Sequence, residues 1–473
     1  MAIACDLQAS EKGIWATTRK DIFMKKLCSP VVVLFLILSG CISAPDSIRD
    51  VRELRQDHAS YFTGIAKSED PLPAAVQNRM DEDYNTIYFS VWHQSRPFHA
   101  WEERVRHDLK KYSLRPGYGE NKKLHPPSWL KKLQNNASLN NYPNTLSRGI
   151  TTRNANLREL PTSSPHFNSS DGDSSAWPFD NLQRSSVSAN TPIFVCHVSA
   201  DKSWALVETS FTYGWIPVED FASVDNEFVK IWESGRFAVI IRDQTSILDK
   251  KDRFLVRGSV GHIFPFISNA SDKIQLSVAV ADRHGKAVIQ RGFAPADAAA
   301  VKPLRFNPIN AAKIANEMIG EPYGWGGLYG NRDCSSMTRD FFTVFGIWLP
   351  RHSEDQVKEA GTYIDLRGLS PEEKERIIIE KGVPYLSLLW RKGHVMLYIG
   401  TKGGRALIFH NIWGIRTKDL QGREGRKIIG QAVITTLQPG QELTNIDSSS
   451  GSFLDNIAAM SILAPTGREN PAK

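Results

Sequence analysis

One stretch constrains this chain more than any other: Tyr323-Gly324-Trp325-Gly326-Gly327, running on to Asp333-Cys334-Ser335-Ser336. Glycines at 324, 326, 327 and 330 let the backbone turn tightly and come close to a ligand. Asp333 has the chemistry of a helix N-cap, and Met337, Phe341, Val344 and Phe345 recur behind it at helical spacing. Cys334 is therefore expected in the first turn of a helix whose apolar stripe faces a core. Free N–H groups and aligned peptide dipoles at that position favour the thiolate. A buried structural cysteine fits the same pattern, so the stretch alone leaves both readings open.

The 473 residues exceed what one core accommodates, and about three domains are expected. A net charge of +7 over this length makes no claim for a nucleic-acid partner, and none is expected; it suits weak attraction to an anionic polymer surface, and solubility explains it equally well. The cysteines at 5, 28, 41, 196 and 334 show no CxxC spacing and no even framework, so they support neither a zinc site nor a disulfide scaffold. Met24-Lys25-Lys26 followed by the apolar run 31–38 has the layout of a secretory signal and is too short to cross a bilayer. Leu38-Ser39-Gly40-Cys41 resembles a bacterial lipobox, with Cys41 as the lipidated residue. Residues 1–40 are thus read as an upstream extension and signal peptide. The mature protein is expected outside the cytoplasm, lipid-anchored to a bacterial membrane, and Ile42 permits sorting to an outer membrane.

Residues 41–146 are polar with helical fragments (Ile48, Val51 and Leu54; Tyr88 to Trp92; Trp101 to Leu109) and read as a wrapping region without chemistry of its own. Its histidines 93, 99, 107 and 125 have no metal-ligand spacing. From 147 to 223 short strands alternate with turns, which predicts a small β-barrel. Its last strand, Gly214-Trp215-Ile216-Pro217, resembles the closing strand of bacterial SH3 domains. Cys196 falls mid-strand and is assigned to the core. Residues 224–304 read as a second such barrel. Residues 305–463 turn to an α+β pattern, and 464–473 form a polar tail expected to be disordered.

The α+β part also supplies the groups that a cysteine nucleophile needs, a base and something to orient it. His394, Met396 and Tyr398 share one face of an alternating strand, and Ala406 to Asn411 returns after the turn at 401–405. A hairpin centred on Gly403 places Met396 opposite His410, with His394 diagonal to it on the same face. A one-residue slip would send His410 to the far face. Two unrelated histidines in a sheet remain the alternative on spacing alone.

Taken together, Asp-Cys-Ser, the preceding Pro-Tyr-Gly-Trp-Gly-Gly, Leu349-Pro350-Arg351-His352-Ser353 and Gly393 to Gly400 resemble the NlpC-type cell-wall cysteine peptidases. The segment order resembles their subgroup with an N-terminal wrapping region and two bacterial SH3 domains. The resemblance implies a multidomain α+β protein, two SH3-like barrels followed by a papain-like peptidase domain. It implies Cys334 as nucleophile, His394 as base and His410 as the third polar residue. The implied substrate is a peptidoglycan stem peptide, cut at the γ-D-glutamyl–diaminopimelate bond, or at lysine in other walls, by a monomer without metal or organic cofactor. In the SH3-bearing subgroup the peptide begins with a free L-alanine amine, and the matching recognition positions are Tyr323, Asp333 and Ser335. Asp180 and Tyr213 of the first barrel are the candidates for walling off the cleft. Ser336 stands where the family commonly has glycine. The competing readings are an N-acetylmuramoyl-L-alanine amidase on the same core and a non-catalytic, lipid-anchored wall-binding protein.

Overall fold

In the computed structural model, which describes residues 47–64, 71–114, 116–171, 176–447 and 452–463, the strand-rich middle of the chain forms two seven-stranded sheets. The first runs from Ser147–Thr151 to Phe221–Ser223 around Leu157, Val195, Val207 and Ile216. The second runs from Phe237–Ile240 to Ala299–Val301 around Ile240, Ile247, Phe264 and Val278. A short helix, Asn226–Trp232, links them; its N-cap Asp225 accepts from the Phe228 amide. Cys196 is fully buried in the first barrel. Lipidation of Cys41, the extension and signal at 1–40, and the tail at 464–473 lie outside the described residues.

The last part is an α+β layer. Its antiparallel sheet has the order Thr362–Asp365, Ile457–Ile462, Ser387–Arg391, His394–Lys402, Arg405–Lys418, Glu424–Thr436. Helix Cys334–Val344 lays Met337, Phe341 and Val344 against the two histidine-bearing strands. Two further helices of this part are Pro308–Met318 and Pro371–Lys381. Three strands escape the sequence reading: Thr362–Asp365, Ser387–Arg391 and Ile457–Ile462. Ser387–Arg391 shows why. It lies between two neighbours with Ser387, Leu388 and Leu389 all buried, so it carries no alternating pattern.

The N-terminal region ties these parts together with buried polar contacts. Glu208 of the first barrel is fully buried and accepts the backbone N–H groups of Phe98 (3.0 Å), His99 (2.7 Å) and Ala100. Gln77 donates to the carbonyls of Leu304 (2.7 Å) and Phe345 (3.0 Å), spanning linker and peptidase layer. Glu424–Thr436 is an edge strand, and an open edge invites further strand pairing. Gln56 covers it by accepting from Ile434 N (2.8 Å) and donating to Ile434 O (3.0 Å), while Asp50 accepts from Thr436 N (2.8 Å). The side chains thereby satisfy groups that a neighbouring strand would otherwise take.

Candidate active site

Asp333 caps the cysteine helix as expected, with a reciprocal partner. Its carboxylate accepts from Ser336 N (2.8 Å), and Ser336 Oγ accepts from Asp333 N (2.9 Å), closing a capping box. Ser336 is thus an active part of the helix start, where a glycine would leave the Asp333 amide without this partner. Cys334 follows as the first helical residue, buried with only 7% exposure. Burial pushes its thiol up to about 12, and the neighbouring Asp333 carboxylate adds to this. The Val395 amide, the Arg351 guanidinium and the Ser335 amide pull the other way. The thiolate expected from the helix start is therefore corrected: desolvation outweighs the dipole, and the resting sulfur is a thiol. The Val395 amide reaching the sulfur places the start of the His394 strand against the nucleophile.

The hairpin solves its register in a way the sequence conceals. Lys402 pairs with Arg405 across a tight Gly403-Gly404 turn, a register that would carried back put Met396 opposite Asn411. A bulge between Tyr398 and Gly400 takes up one residue, so Leu397 pairs with Phe409 and Met396 comes level with His410. His394 and His410 consequently share a face, with His394 Nε2 2.8 Å from His410 Nδ1. His410 Nε2 lies 3.1 Å from Thr435 Oγ1, and that hydroxyl donates to the Thr436 carbonyl at 2.8 Å. Thr435 then accepts from His410 Nε2–H, so His410 Nδ1 accepts and His394 donates through Nε2. His394 Nδ1 is left with its lone pair, as a base requires. Burial drives both imidazoles toward the neutral form, His410 to about 3 and His394 well below its ordinary value, with His410 and Arg391 reinforcing the effect on His394.

Around Asp333 the structure adds a residue to which the sequence reading assigned no role. Arg351 donates to Asp333 Oδ2 (2.6 Å) and Oδ1 (3.2 Å), to Ser335 Oγ (2.7 Å) and to Ser185 Oγ of the first barrel (2.7 Å). Two of the three positions matched to amine recognition, Asp333 and Ser335, thus share one internal cation, and the Asp333 charge is compensated. Tyr323, the third, lines the same cleft as His394. Nothing in the Pro-Arg-His run distinguishes a buried arginine from a surface one.

The glycine-rich loop meets another domain where the sequence reading anticipated a ligand. A Cβ on Gly326 (φ 59°) would lie 2.8 Å from Gln183 Cγ, and one on Gly327 (φ 85°) 2.0 Å from Ser186 Oγ. The first barrel docks here, with Gln183 donating to Gly326 O (3.0 Å) and Trp325 Nε1 donating to Asp180 O (3.0 Å). The Asp180 carboxylate is buried and spent on Arg158 (2.7 Å) and the amides of His166 and Leu182 (3.0 and 2.9 Å). Asp180 is therefore a structural acid, and the residue of that segment lining the cleft is Phe179, whose ring lies edge-on to Trp325 at 5.0 Å. Tyr213 is likewise corrected. It is buried, hydrogen-bonded to Asp108 (2.5 Å), and held between the guanidinium groups of Arg184 and Arg104. Its ring lines a separate hollow beside Arg351 and His352.

Four family models match in chain order: the N-terminal stabilising domain of NlpC/P60 proteins over residues 30–142, an SH3 domain of SH3b1 type over 165–217, one of SH3b2 type over 225–270, and the NlpC/P60 family over 320–428. The chain belongs to the NlpC/P60 family. A solved NlpC/P60 endopeptidase from Photobacterium damselae subsp. piscicida is similar at 27% identity and TM-score 0.77, over 88% of this chain and 98% of that one. An NlpC/P60 family protein from Bacillus cereus ATCC 10987 is 17% identical over 60% of this chain and 83% of its own, with a TM-score of 0.42. No curated protein matches the chain. The NlpC/P60 assignment makes the protein a peptidoglycan hydrolase, and it makes the Cys334–His394–His410 geometry a candidate catalytic set. Among the described residues no group of three or more His, Cys, Asp and Glu is placed to hold a metal ion.

Proposed function

We propose that the protein is a cysteine endopeptidase that cuts peptidoglycan stem peptides at the γ-D-glutamyl–diaminopimelate bond during wall turnover or recycling. One observation supports this above all: a helix-start cysteine whose sulfur is reached by the amide of Val395, the residue after His394, and a His394–His410–Thr435 chain whose hydrogen bonds leave His394 Nδ1 unprotonated. With a neutral thiol and a neutral imidazole at rest, His394 acts as general base when the substrate arrives. The sulfur attacks the γ-glutamyl carbonyl, and N–H groups at the start of the cysteine helix receive the oxyanion. His394 returns its proton to the leaving amine, then activates the water that releases the acyl group. His410, itself held by Thr435, keeps His394 in the required tautomer.

The free L-alanine amine belongs to this proposal as a preference rather than a strict requirement. Arg351 already compensates Asp333, so Asp333, Ser335 and Tyr323 offer hydrogen-bond acceptors without surplus negative charge. Acetylating the L-alanine of L-Ala-γ-D-Glu-diaminopimelate is expected to lower kcat/KM by about tenfold, the effect of roughly 1.4 kcal/mol. Equal rates would remove the amine from the recognition, and a loss of a thousandfold would mean that Arg351 releases Asp333 on binding. The same ion pair favours one alternative, an N-acetylmuramoyl-L-alanine amidase, whose substrate lacks that amine. Product masses from a muramoyl stem peptide and from the free tripeptide separate the two: the endopeptidase splits the free tripeptide into L-Ala-γ-D-Glu and diaminopimelate, whereas the amidase leaves it uncut and releases an intact stem peptide from the muramoyl form.

We also propose export and anchoring through Cys41; a Cys41→Ser protein that stayed in the membrane fraction would contradict it.

A further inference from the structure

A hollow of about 930 Å³ lies where the segment around Glu120, the first barrel and the glycine-rich loop meet, apart from the cleft that contains His394. That volume falls in the range of small-molecule sites, about 300–1,000 Å³. Three aromatic residues stand in its wall, Trp177, Trp204 and Tyr329. Trp177 is 60% exposed, although Trp413 of the peptidase layer holds it edge-on at 5.3 Å. Tyr329 is 74% exposed at φ 65°, a left-handed conformation that Gly326, Gly327 and Gly330 of the same loop adopt freely. A tyrosine there is strained. Among the described residues its ring has no stacking partner and its hydroxyl no hydrogen bond, so no contact of that kind offsets the strain.

The polar groups of the wall are unused donors and acceptors. Asn154 Oδ1 accepts from Ala189 N (2.8 Å), and Asn156 Oδ1 accepts from Gln183 Nε2 (3.0 Å). These bonds orient both amides and leave both Nδ2 groups without a partner among the described residues. Asp220 supplies an acceptor: its side chain is 15% exposed, its ion pair with Arg153 is long at 3.8 Å, and burial raises its pKa above the ordinary carboxylate value. The cations of the wall are paired, Arg158 with Asp180 (2.7 Å) and Lys122 with Asp171 (3.2 Å), so the hollow does not call for an anion. Exposed aromatic faces beside oriented amide donors and a carboxylate suit a neutral, hydroxyl-rich ring. The C–H groups of such a ring lie on the negative π-face, and its polar edge meets the donors and the acceptor.

We propose that this hollow binds an N-acetylated amino-sugar strand of the wall polymer, with pyranose rings stacked on Trp177 and Tyr329. The acetamido group suits the polar set, since its carbonyl accepts from Asn154 or Asn156 Nδ2 and its N–H donates to Asp220. Membership of a peptidoglycan hydrolase family brings the protein to such a polymer. The hollow then holds the enzyme on the glycan, while the separate cleft with His394 takes peptide.

The test is calorimetric titration of the full chain carrying Cys334→Ala with tetra-N-acetylchitotetraose, a neutral β-1,4-linked N-acetylglucosamine tetramer. Saturable binding is expected, weakened about tenfold by Trp177→Ala and again by Tyr329→Gly, each the loss of one aromatic contact. Tyr329→Gly also removes the strain, so its melting temperature should stay level or rise while binding falls, which a merely structural tyrosine would not show. Cellotetraose, which lacks the acetamido groups, is expected to bind more weakly, and equal affinity would overturn the amino-sugar assignment. The site itself would be overturned by absence of saturable binding, by unchanged affinity in both variants, or by displacement of the tetramer by L-Ala-γ-D-Glu-meso-diaminopimelate. Cleavage plays no part in the titration, so its outcome is independent of the γ-glutamyl reading.

Discussion

The two SH3-type barrels share a seven-stranded plan and touch the same catalytic stretch from different sides. The first barrel meets it with uncharged contacts and backbone: Gln183 on Gly326, Ser186 against Gly327 and the Asp180 carbonyl on Trp325. The second meets it with charge. Arg332, two residues before the nucleophile, is buried and donates to Asp243 of that barrel (2.8 and 2.9 Å), to the Val260 carbonyl (3.1 Å), and to Glu321 and Asp340 (2.5 and 2.8 Å). The first barrel reaches the cleft itself through Phe179, while the second braces the loop from behind. The barrel fold by itself decides neither role; the loops that face residues 324–336 do.

The charged side of this comparison should break hardest. Arg332→Met leaves Asp243, Glu321 and Asp340 buried without their common cation, and a stability loss of roughly 3–5 kcal/mol is expected. Denaturant unfolding checks this, and a loss below 1 kcal/mol would show that the second barrel does not depend on the ion pairs. Gly327→Ala attacks the other side by forcing a methyl onto Ser186 at a positive φ. About 1–3 kcal/mol of destabilisation is expected, together with a fall in kcat/KM and faster proteolysis of the first barrel. An unchanged melting curve and activity would mean that this docking is dispensable.

Thr435→Val tests the relay inside the peptidase layer without touching either barrel. Losing the acceptor for His410 Nε2–H frees the tautomer, and kcat should fall about tenfold with KM unchanged, equivalent to about one hydrogen bond. A KM effect alone would assign Thr435 to binding. The smallest effect per step is in pH. Burial holds His58 and His410 at about 3 and His262, in the second barrel, at about 4. Each is neutral when folded and takes a proton near 6.5 when unfolded, so stability is complete above 6.5 and falls as the pH drops from there toward 4. The slope is at most roughly 1.4 kcal/mol per pH unit for each histidine. His262→Gln should flatten this slope if the second barrel contributes to it, and an identical slope would remove that barrel from the acid response.

Local chemistry was legible in the sequence where it followed a short-range rule. The Asp333 cap, the helical stripe behind Cys334 and the shared face of His394 and Met396 all obey spacing rules within about ten residues. The placement of His410 was reached by a simpler path than the molecule takes: a turn centred on Gly403 stood in for a tighter turn corrected by a bulge at Ile399. What stayed hidden was long-range. Arg351 finds Asp333 and Ser185 only after three segments have met, and Arg332 gathers acids from 8 to 89 residues away. Asp180 was offered for the cleft wall through the family resemblance, but its carboxylate turns inward to Arg158 and the half-buried Phe179 beside it lines the cleft. The thiolate expectation failed for a related reason, since burial depends on what covers a helix start and not on the helix.

The claim on which all of this depends is that Cys334, activated by His394, carries out the cleavage. Wild-type, Cys334→Ala and His394→Gln proteins incubated with L-Ala-γ-D-Glu-meso-diaminopimelate, with products identified by mass, test it directly. The account predicts L-Ala-γ-D-Glu and free diaminopimelate from the wild type and neither product from the two variants. The same products from Cys334→Ala at the wild-type rate would contradict it.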